Sequence, residues 1–495
     1  MKQFLRRSFT LYDPSKLKIK QNQLLIDGKW VNSVKGETFP SINPFNEKEI
    51  AKIAKASPLD VDLAVKAARK AFDDGPWPRM EANERARLMF KLADLMEKNI
   101  DELAALESLD NGKPFKDARA IDLPMAINTI RYYAGWADKI HGQVIPIMGP
   151  HFCYTREEPV GVCGLIYAWN FPITLATWKL GPCLATGCVA ILKPAEQTPL
   201  SILRLGELAL EAGIPAGVIN ILTGFGDVGQ ALVGHAGVDK ISFTGSTDVG
   251  REILSRNGFP NIKRMTMELG GKSPNIILED ADMELAVQQA HFGIFFNQGQ
   301  CCVAGSRTFV HSKIYDEFVE RSVAHAKKAH LGDPFHHKTT QGPQVDKIQQ
   351  DKIHDYIEKG KKEGARILTG EETYTGTGYF VHPTVFADVK DHMTIAKEEI
   401  FGPVMSILKY DTIDEVIHRS NQSHFGLGAG IVGKDHSKIF KLVKGLRAGS
   451  VWVNCYDQFQ HTTPFGGFKD SGVGRELGEA GLRAYLETKT VVFLE

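Results

Sequence analysis

From about residue 160 the chain alternates short apolar runs with helical-period segments, and this pattern limits the folds open to it. "GVCGLIYAW" reads as a strand, "ITLATWKLGPCLATG" as a helix and "CVAILK" as a strand. "PLSILRLGELALEAG" then reads as a helix, "VINILTG" as a strand, "VGQALVG" as a helix and "KISFTG" as a strand. Strands separated by helices form βαβ units and a parallel sheet, so the expected class is α/β. Such sheets bind ligands where the strands end, at their carboxyl edge. After about residue 270 the alternation restarts with "SPNIIL", "RTFVHS" and "FVERSVAHAKKAHLG", which predicts a second α/β domain.

Upstream, residues 61–74 and 83–107 have helical spacing, with Leu88, Leu92 and Leu95 on one face and Asn83 as the expected N-cap. "GQVIPI" and "HFCYTREEPVGV" read as a hairpin, and "KTVVFLE" as a terminal strand. An edge strand needs a partner, found either across a subunit interface or in an internal sheet.

With 495 residues the chain exceeds what one core covers, so two or three domains are expected. Basic and acidic residues total 59 each, which leaves no global field for nucleic acid or an anionic membrane. The uncharged stretch Val160–Trp178 is long enough to span a bilayer, but Gly164, Asn170 and Pro172 interrupt it, and it reads as a buried strand, turn and helix. The seven cysteines contain no CxxC pair and the chain has no HExxH, so no zinc site of usual spacing is expected. Their odd number points to reduced thiols. The opening "MKQFLRRSFTLYD" has the basic bias of a mitochondrial presequence.

Several positions carry candidate chemistry. "GFGDVG" (Gly224 to Gly229) and "FTGSTDVG" each leave a strand and enter a helix, where backbone N–H groups can cradle phosphate. Lys193 and Glu196 end a strand in "ILKPAEQTP"; an acid there accepts from a ribose diol and repels a 2′-phosphate, unless the two are a solvated pair. Asn170 is a turn former or a placed donor, and Glu268 a general base or a surface acid. Cys301 and Cys302 follow "FFNQGQ", where a cysteine is either an inert hydrophobe or a nucleophile. Read this way, the chain is a two-domain nucleotide binder whose reaction stays open.

The motifs "MELGGKSPN", "FFNQGQCC", "EEIFGPV" and "PFGGFKDSGVGRELG" resemble the NAD(P)-dependent aldehyde dehydrogenase superfamily, most closely its class 1 and class 2 members. The similarity runs from "LLIDGKW" to "LETKTVV". It implies a Rossmann-like NAD-binding domain (20–136 and 159–270), a catalytic domain (271–475) and oligomerisation strands (137–158 and 485–495), usually in a homotetramer. The last Cys of the family's GQxC pattern is Cys302, which the resemblance makes the nucleophile, with Glu268 as general base and Asn170 as oxyanion donor. Cofactor contacts carry over to Ile166, Trp169, Lys193, Glu196, Gly226, Phe243, Gly245, Ser246, Gln349, Lys352, Glu399 and Phe401. A substrate tunnel carries over to Met125, Phe171, Thr174, Leu175, Trp178, Phe296, Val303, Asp457, Phe459 and Phe465.

The implied reaction is NAD-dependent oxidation of a small or medium aldehyde to its acid through a Cys302 thioester. Losing one oxyanion donor would cost about 3 kcal/mol in the barrier. Thr174, Leu175, Gln458 and the segment "FQHTT" keep a longer aldehyde such as retinal as an alternative. Two further alternatives are an acyl-transferring relative, against which Glu268 argues, and an inactive structural or NAD-binding homologue. "DPSKLKIKQ" resembles the cytosolic members, so cytoplasm is expected, with the mitochondrial matrix as alternative.

Overall fold

The computed structural model describes residues 12–495, so residues 1–11 of the presequence-like opening lie outside the described residues. Two large sheets organise the chain. The first has eight strands in the spatial order Gly472–Val473, Arg264–Glu268, Lys240–Thr244, Val162–Ile166, Val189–Lys193, Ile219–Ile221, Leu24–Ile26 and Lys29–Val31. Its five central strands are parallel. Val162–Ile166, Val189–Lys193 and Lys240–Thr244 are buried at every position, because helices cover both faces of a parallel sheet. The chain passes from Ile219–Ile221 on one flank to Lys240–Thr244 on the other side of Val162–Ile166. This reversal of strand order opens a crevice at the carboxyl ends.

The second sheet has seven strands, in the order Arg366–Thr369, Thr384–Ala387, Val404–Tyr410, Arg307–His311, Pro274–Ile277, Gly428–Val432 and Ser450–Val453. All its pairings are parallel except that of Arg366–Thr369 with Thr384–Ala387. Among the described residues no helix is long and apolar enough to cross a membrane. Val160–Trp178 is instead a buried strand, a turn and the helix Pro172–Thr186.

Several expectations change. The helix expected over residues 83–107 is two helices, Ala82–Lys98 and Ile100–Asn111, divided at Asn99, whose side chain donates to the Leu95 carbonyl at 2.8 Å. Asn83 is not the N-cap; Glu81 stands there, and the entry is set by a tight turn around fully buried Trp77. The preceding helix, Pro58–Asp73, does have a capping box, in which the Asp60 carboxylate accepts from the Ser57 N–H at 2.8 Å.

The strand Gly472–Val473 lies within the range expected to be catalytic, yet it pairs antiparallel with Met267 and Glu268 in the first sheet. It supplies the backbone partners that the edge of Arg264–Glu268 would otherwise lack. The terminal strand Leu486–Leu494 pairs with His151–Pro159 of the same chain over nine residues, so its backbone partner is internal. Val144–Ile145 completes that three-stranded sheet, and Arg264 holds Glu487 at 2.5 Å.

Candidate active site

Register brings the candidate residues into a row. Ile166 lies opposite Lys193 and Phe243, and Thr244 opposite Glu268, at the carboxyl edge of the first sheet. Chain leaving these strands carries Trp169 and Asn170 on one side of the crevice and Gly245 and Ser246 on the other. Ser246 caps the helix Thr247–Arg256, accepting from the Val249 N–H at 3.4 Å. A side chain added at Gly245 would strike the Phe243 ring at 2.4 Å.

Glu268 is 3% exposed at the end of its strand, and its Oε2 has no hydrogen-bond partner. Burial, reinforced by the Glu476 carboxylate, raises its pKa well above the usual carboxylate range. Lys179 opposes that effect, and is itself ion-paired with Glu476 while donating to Thr244 Oγ1 at 2.7 Å. Lys179 and Glu476 were not singled out from the sequence. The signal was present, since Lys179 is the only charge in the apolar helix Pro172–Thr186.

Cys302 comes close to Glu268 through the backbone. A Cβ on Gly271 would lie 2.2 Å from the Cys302 carbonyl oxygen, so only glycine allows the strand exit to touch the cysteine loop. That loop is unusual: Asn297, Gln298 and Gly299 all have positive φ, of 50°, 59° and 72°. The Asn297 amide donates to the carbonyls of Asn170 at 2.9 Å and Gln300 at 3.1 Å, and the Val345 N–H donates to Gln300 Oε1 at 3.0 Å. Asn170 is 3% exposed, and its Nδ2 donates to the Gln300 carbonyl at 3.1 Å, leaving a second amide N–H. Its own carbonyl also accepts from Lys113 at 3.0 Å, and Lys113 is buried against Asp122.

The two cysteines differ. Cys301 is buried, and its pKa is raised by sharing a hydrogen bond with Cys302, by burial and by Asp457, whose Oδ2 is 3.7 Å from its sulfur. Cys302 is half-buried. A thiolate nucleophile needs access, and of the two cysteines Cys302 is the more accessible.

The proposed tunnel residues form an aromatic wall. Trp178 meets Phe465 at 5.2 Å and Phe459 at 5.4 Å between ring centroids, and Phe171 stacks on Phe296 at 6.0 Å. Leu175, Thr174 and Val303 are buried, while Met125 and Asp457 are half-buried. Burial raises the Asp457 carboxyl to about 7.

The cofactor candidates differ in burial and in the partners they hold. Lys193 is 5% exposed, its pKa is lowered by burial, and the Glu196 carboxylate stands 3.6 Å away. Both groups therefore keep bonding capacity toward the crevice. Glu399 accepts from the Gly271 N–H at 2.8 Å, and burial raises its carboxyl. Trp169 meets Phe401 edge-on at 5.3 Å. Gly226 begins the helix Gly226–Val233, with open space where a Cβ would be. Gln349 spends its amide N–H groups on the carbonyls of Ile400 and Phe401, at 3.2 and 2.9 Å. Lys352 is exposed, with its ammonium 6.0 Å from the Tyr356 ring.

The profile of the aldehyde dehydrogenase family matches residues 30–491. The chain belongs to that family. It is 58% identical to human mitochondrial aldehyde dehydrogenase over 472 residues, covering 95% of this chain and 91% of that protein. Rat retinal dehydrogenase 2 is 54% identical, with 96% of this chain and 92% of that one covered. Among solved structures, the NAD+ complex of the Bacillus cereus aldehyde dehydrogenase superposes with a TM-score of 0.94 at 49% identity, covering 96% of this chain and 97% of the other.

Proposed function

We propose that this aldehyde dehydrogenase family member oxidises small or medium aldehydes to carboxylic acids with NAD, using Cys302 as nucleophile. The observation that carries the reading is the meeting of half-buried Cys302, the spare Asn170 amide N–H and the high-pKa carboxyl of Glu268 beside one crevice. The Cys302 sulfur bonds to the aldehyde carbon, and the resulting oxyanion accepts from the Asn170 amide and the Cys302 backbone N–H. NAD, when bound, would supply the acceptor for the hydride that leaves this carbon. Lys193 and Glu196 would hold its ribose, the Ser246 helix start its phosphates, and Glu399 with Phe401 its nicotinamide end. Glu268, as carboxylate, then removes a proton from water; the hydroxide attacks the Cys302 thioester, and the acid departs as the thiolate is restored.

The aromatic wall of Trp178, Phe459 and Phe465 supports short aldehydes over long polyenes. The first sheet would be the cofactor domain and the second the catalytic domain, with the three-stranded sheet as the oligomerisation element of a homotetramer. The mitochondrial names of human, hamster and rat relatives favour the matrix over the cytoplasm expected from residues 13–21.

NADH formation from propanal and NAD by the wild type, Cys301→Ala and Cys302→Ala tests the reading. Only Cys302→Ala should lose activity. Activity retained by Cys302→Ala, or a wild type inactive on a range of aldehydes while still binding NAD, would overturn it.

A further inference from the structure

The turn that carries Asn170 is gripped by one buried segment, made of the end of the helix Ile100–Asn111 and the two residues after it. The Asn111 amide donates to the Trp169 carbonyl at 2.7 Å, and the Lys113 ammonium to the Asn170 carbonyl at 3.0 Å. Glu107 accepts from the Ile173 N–H at 3.2 Å. The Lys113 ammonium also stands over the Phe171 ring, 4.3 Å from its centroid, as a cation against the tunnel wall. Of the residues from Trp169 to Ile173, only Pro172 escapes this grip.

Lys113 is the centre of the arrangement. It is 2% exposed, and its counter-charge is the equally buried Asp122, at the end of the π-helical turn Ala118–Asp122. Such turns are rare and concentrate at functional sites. The Asn170 carbonyl accepts a second bond, from Asn297 of the cysteine loop at 2.9 Å, so both its lone pairs are used and the peptide is fixed in direction. Removing the ammonium takes away the charge-assisted, stronger member of that pair. The same segment also meets the chain that supports the cysteine loop. A Cβ on Gly112 would lie 2.9 Å from the Pro343 ring, and one on Gly342 would lie 1.9 Å from the Gly112 carbonyl oxygen. Just beyond, Gln344 donates to the Gln298 carbonyl at 3.4 Å and the Val345 N–H to Gln300. Asn170 and the loop before Cys302 are therefore held against one support.

We propose that Lys113 is a positioning residue for the oxyanion donor: its bond to the Asn170 carbonyl, braced by Asp122, sets the direction of the Asn170 amide toward the oxygen of an aldehyde bound at Cys302. The role rests on the reading of Asn170 as that donor. It needs no contact between Lys113 and substrate or cofactor. An oxyanion donor works through geometry, and a displacement of about 1 Å caused from outside the reacting centre can cost roughly a hundredfold in rate.

Lys113→Met alone leaves Asp122 buried and unpaired, so the deciding variant is the charge-neutral pair Lys113→Met with Asp122→Asn. The test is kcat/KM for propanal at saturating NAD in the full-length protein, for the wild type, Asn170→Ala, the paired variant and the paired variant combined with Asn170→Ala. Asn170→Ala should lower kcat/KM by about a hundredfold or more, and the paired variant by about tenfold. Added to Asn170→Ala, the paired change should cost less than about twofold further, because the amide it positions is gone. A purely structural role would instead give the same tenfold loss in both backgrounds. That additive loss, or a paired variant as active as the wild type, would overturn the positioning role and leave Asn170 as donor. Full activity of Asn170→Ala would remove the oxyanion reading itself, and the role of Lys113 with it.

Discussion

At the residue scale, burial decides what each candidate side chain can do. Glu268 shows this, because its useful basicity comes from desolvation and from Glu476, neither of which is adjacent to it in sequence. A base must be deprotonated to act, so a raised pKa places the rising limb of the rate at higher pH. Glu476→Gln removes a negative neighbour and leaves the Lys179 ammonium in place, and both changes lower the Glu268 pKa. The rising limb of kcat against pH should therefore move to lower pH, with a fall in stability of about 3 kcal/mol from the unpaired buried lysine. A limb that stays in place or moves up would mean that Glu476 does not act on Glu268. The choice between Cys301 and Cys302 belongs to the same scale. Adjacent identical residues offer no local signal, and the difference lies in access and in Asp457, which is 156 residues away.

At the element scale, the parallel strands were legible because residues buried on both faces read as unbroken apolar runs. "CVAILK" and "KISFTG" became Val189–Lys193 and Lys240–Thr244. The break at Asn99 and the entry at Ala82 were not legible, because helical periodicity continues through both and a tertiary anchor, Trp77, sets one of them. The loop before the nucleophile was also hidden. Its three successive positive φ values are held by hydrogen bonds to Asn170 and Val345, which come from distant chain. Gly299→Ala should cost roughly 2 kcal/mol or more, since the position is left-handed and a Cβ there would be 2.2 Å from the Gly402 backbone. Denaturant unfolding should show this loss with a lowered kcat. Gly229→Ala, in a helix with open space and no positive φ, should instead be neutral or slightly stabilising.

At the scale of the whole molecule, the small sheet of Val144–Ile145, His151–Pro159 and Leu486–Leu494 leaves a large apolar surface outside the subunit. Met148 is 92% exposed, Leu494 76% and Val144 70%, and Phe152, Val492 and Phe493 add to them. An apolar face beside a free strand edge is where copies of a chain associate. Leu494→Asp combined with Val144→Asp should therefore reduce the mass in solution below that of a tetramer, measured by light scattering. A wild type already monomeric, or a double variant of unchanged mass, would remove this surface from the assembly.

The order of residues along the chain was enough for the α/β class, the carboxyl-edge crevice and, through its motifs, the family, because hydrophobic period and glycine turns are local properties. Folding alone decided which acid is buried, which cysteine is reachable and where Gly472–Val473 pairs. Each of these depends on desolvation and Coulomb terms set by groups that are far apart in sequence and meet only in space.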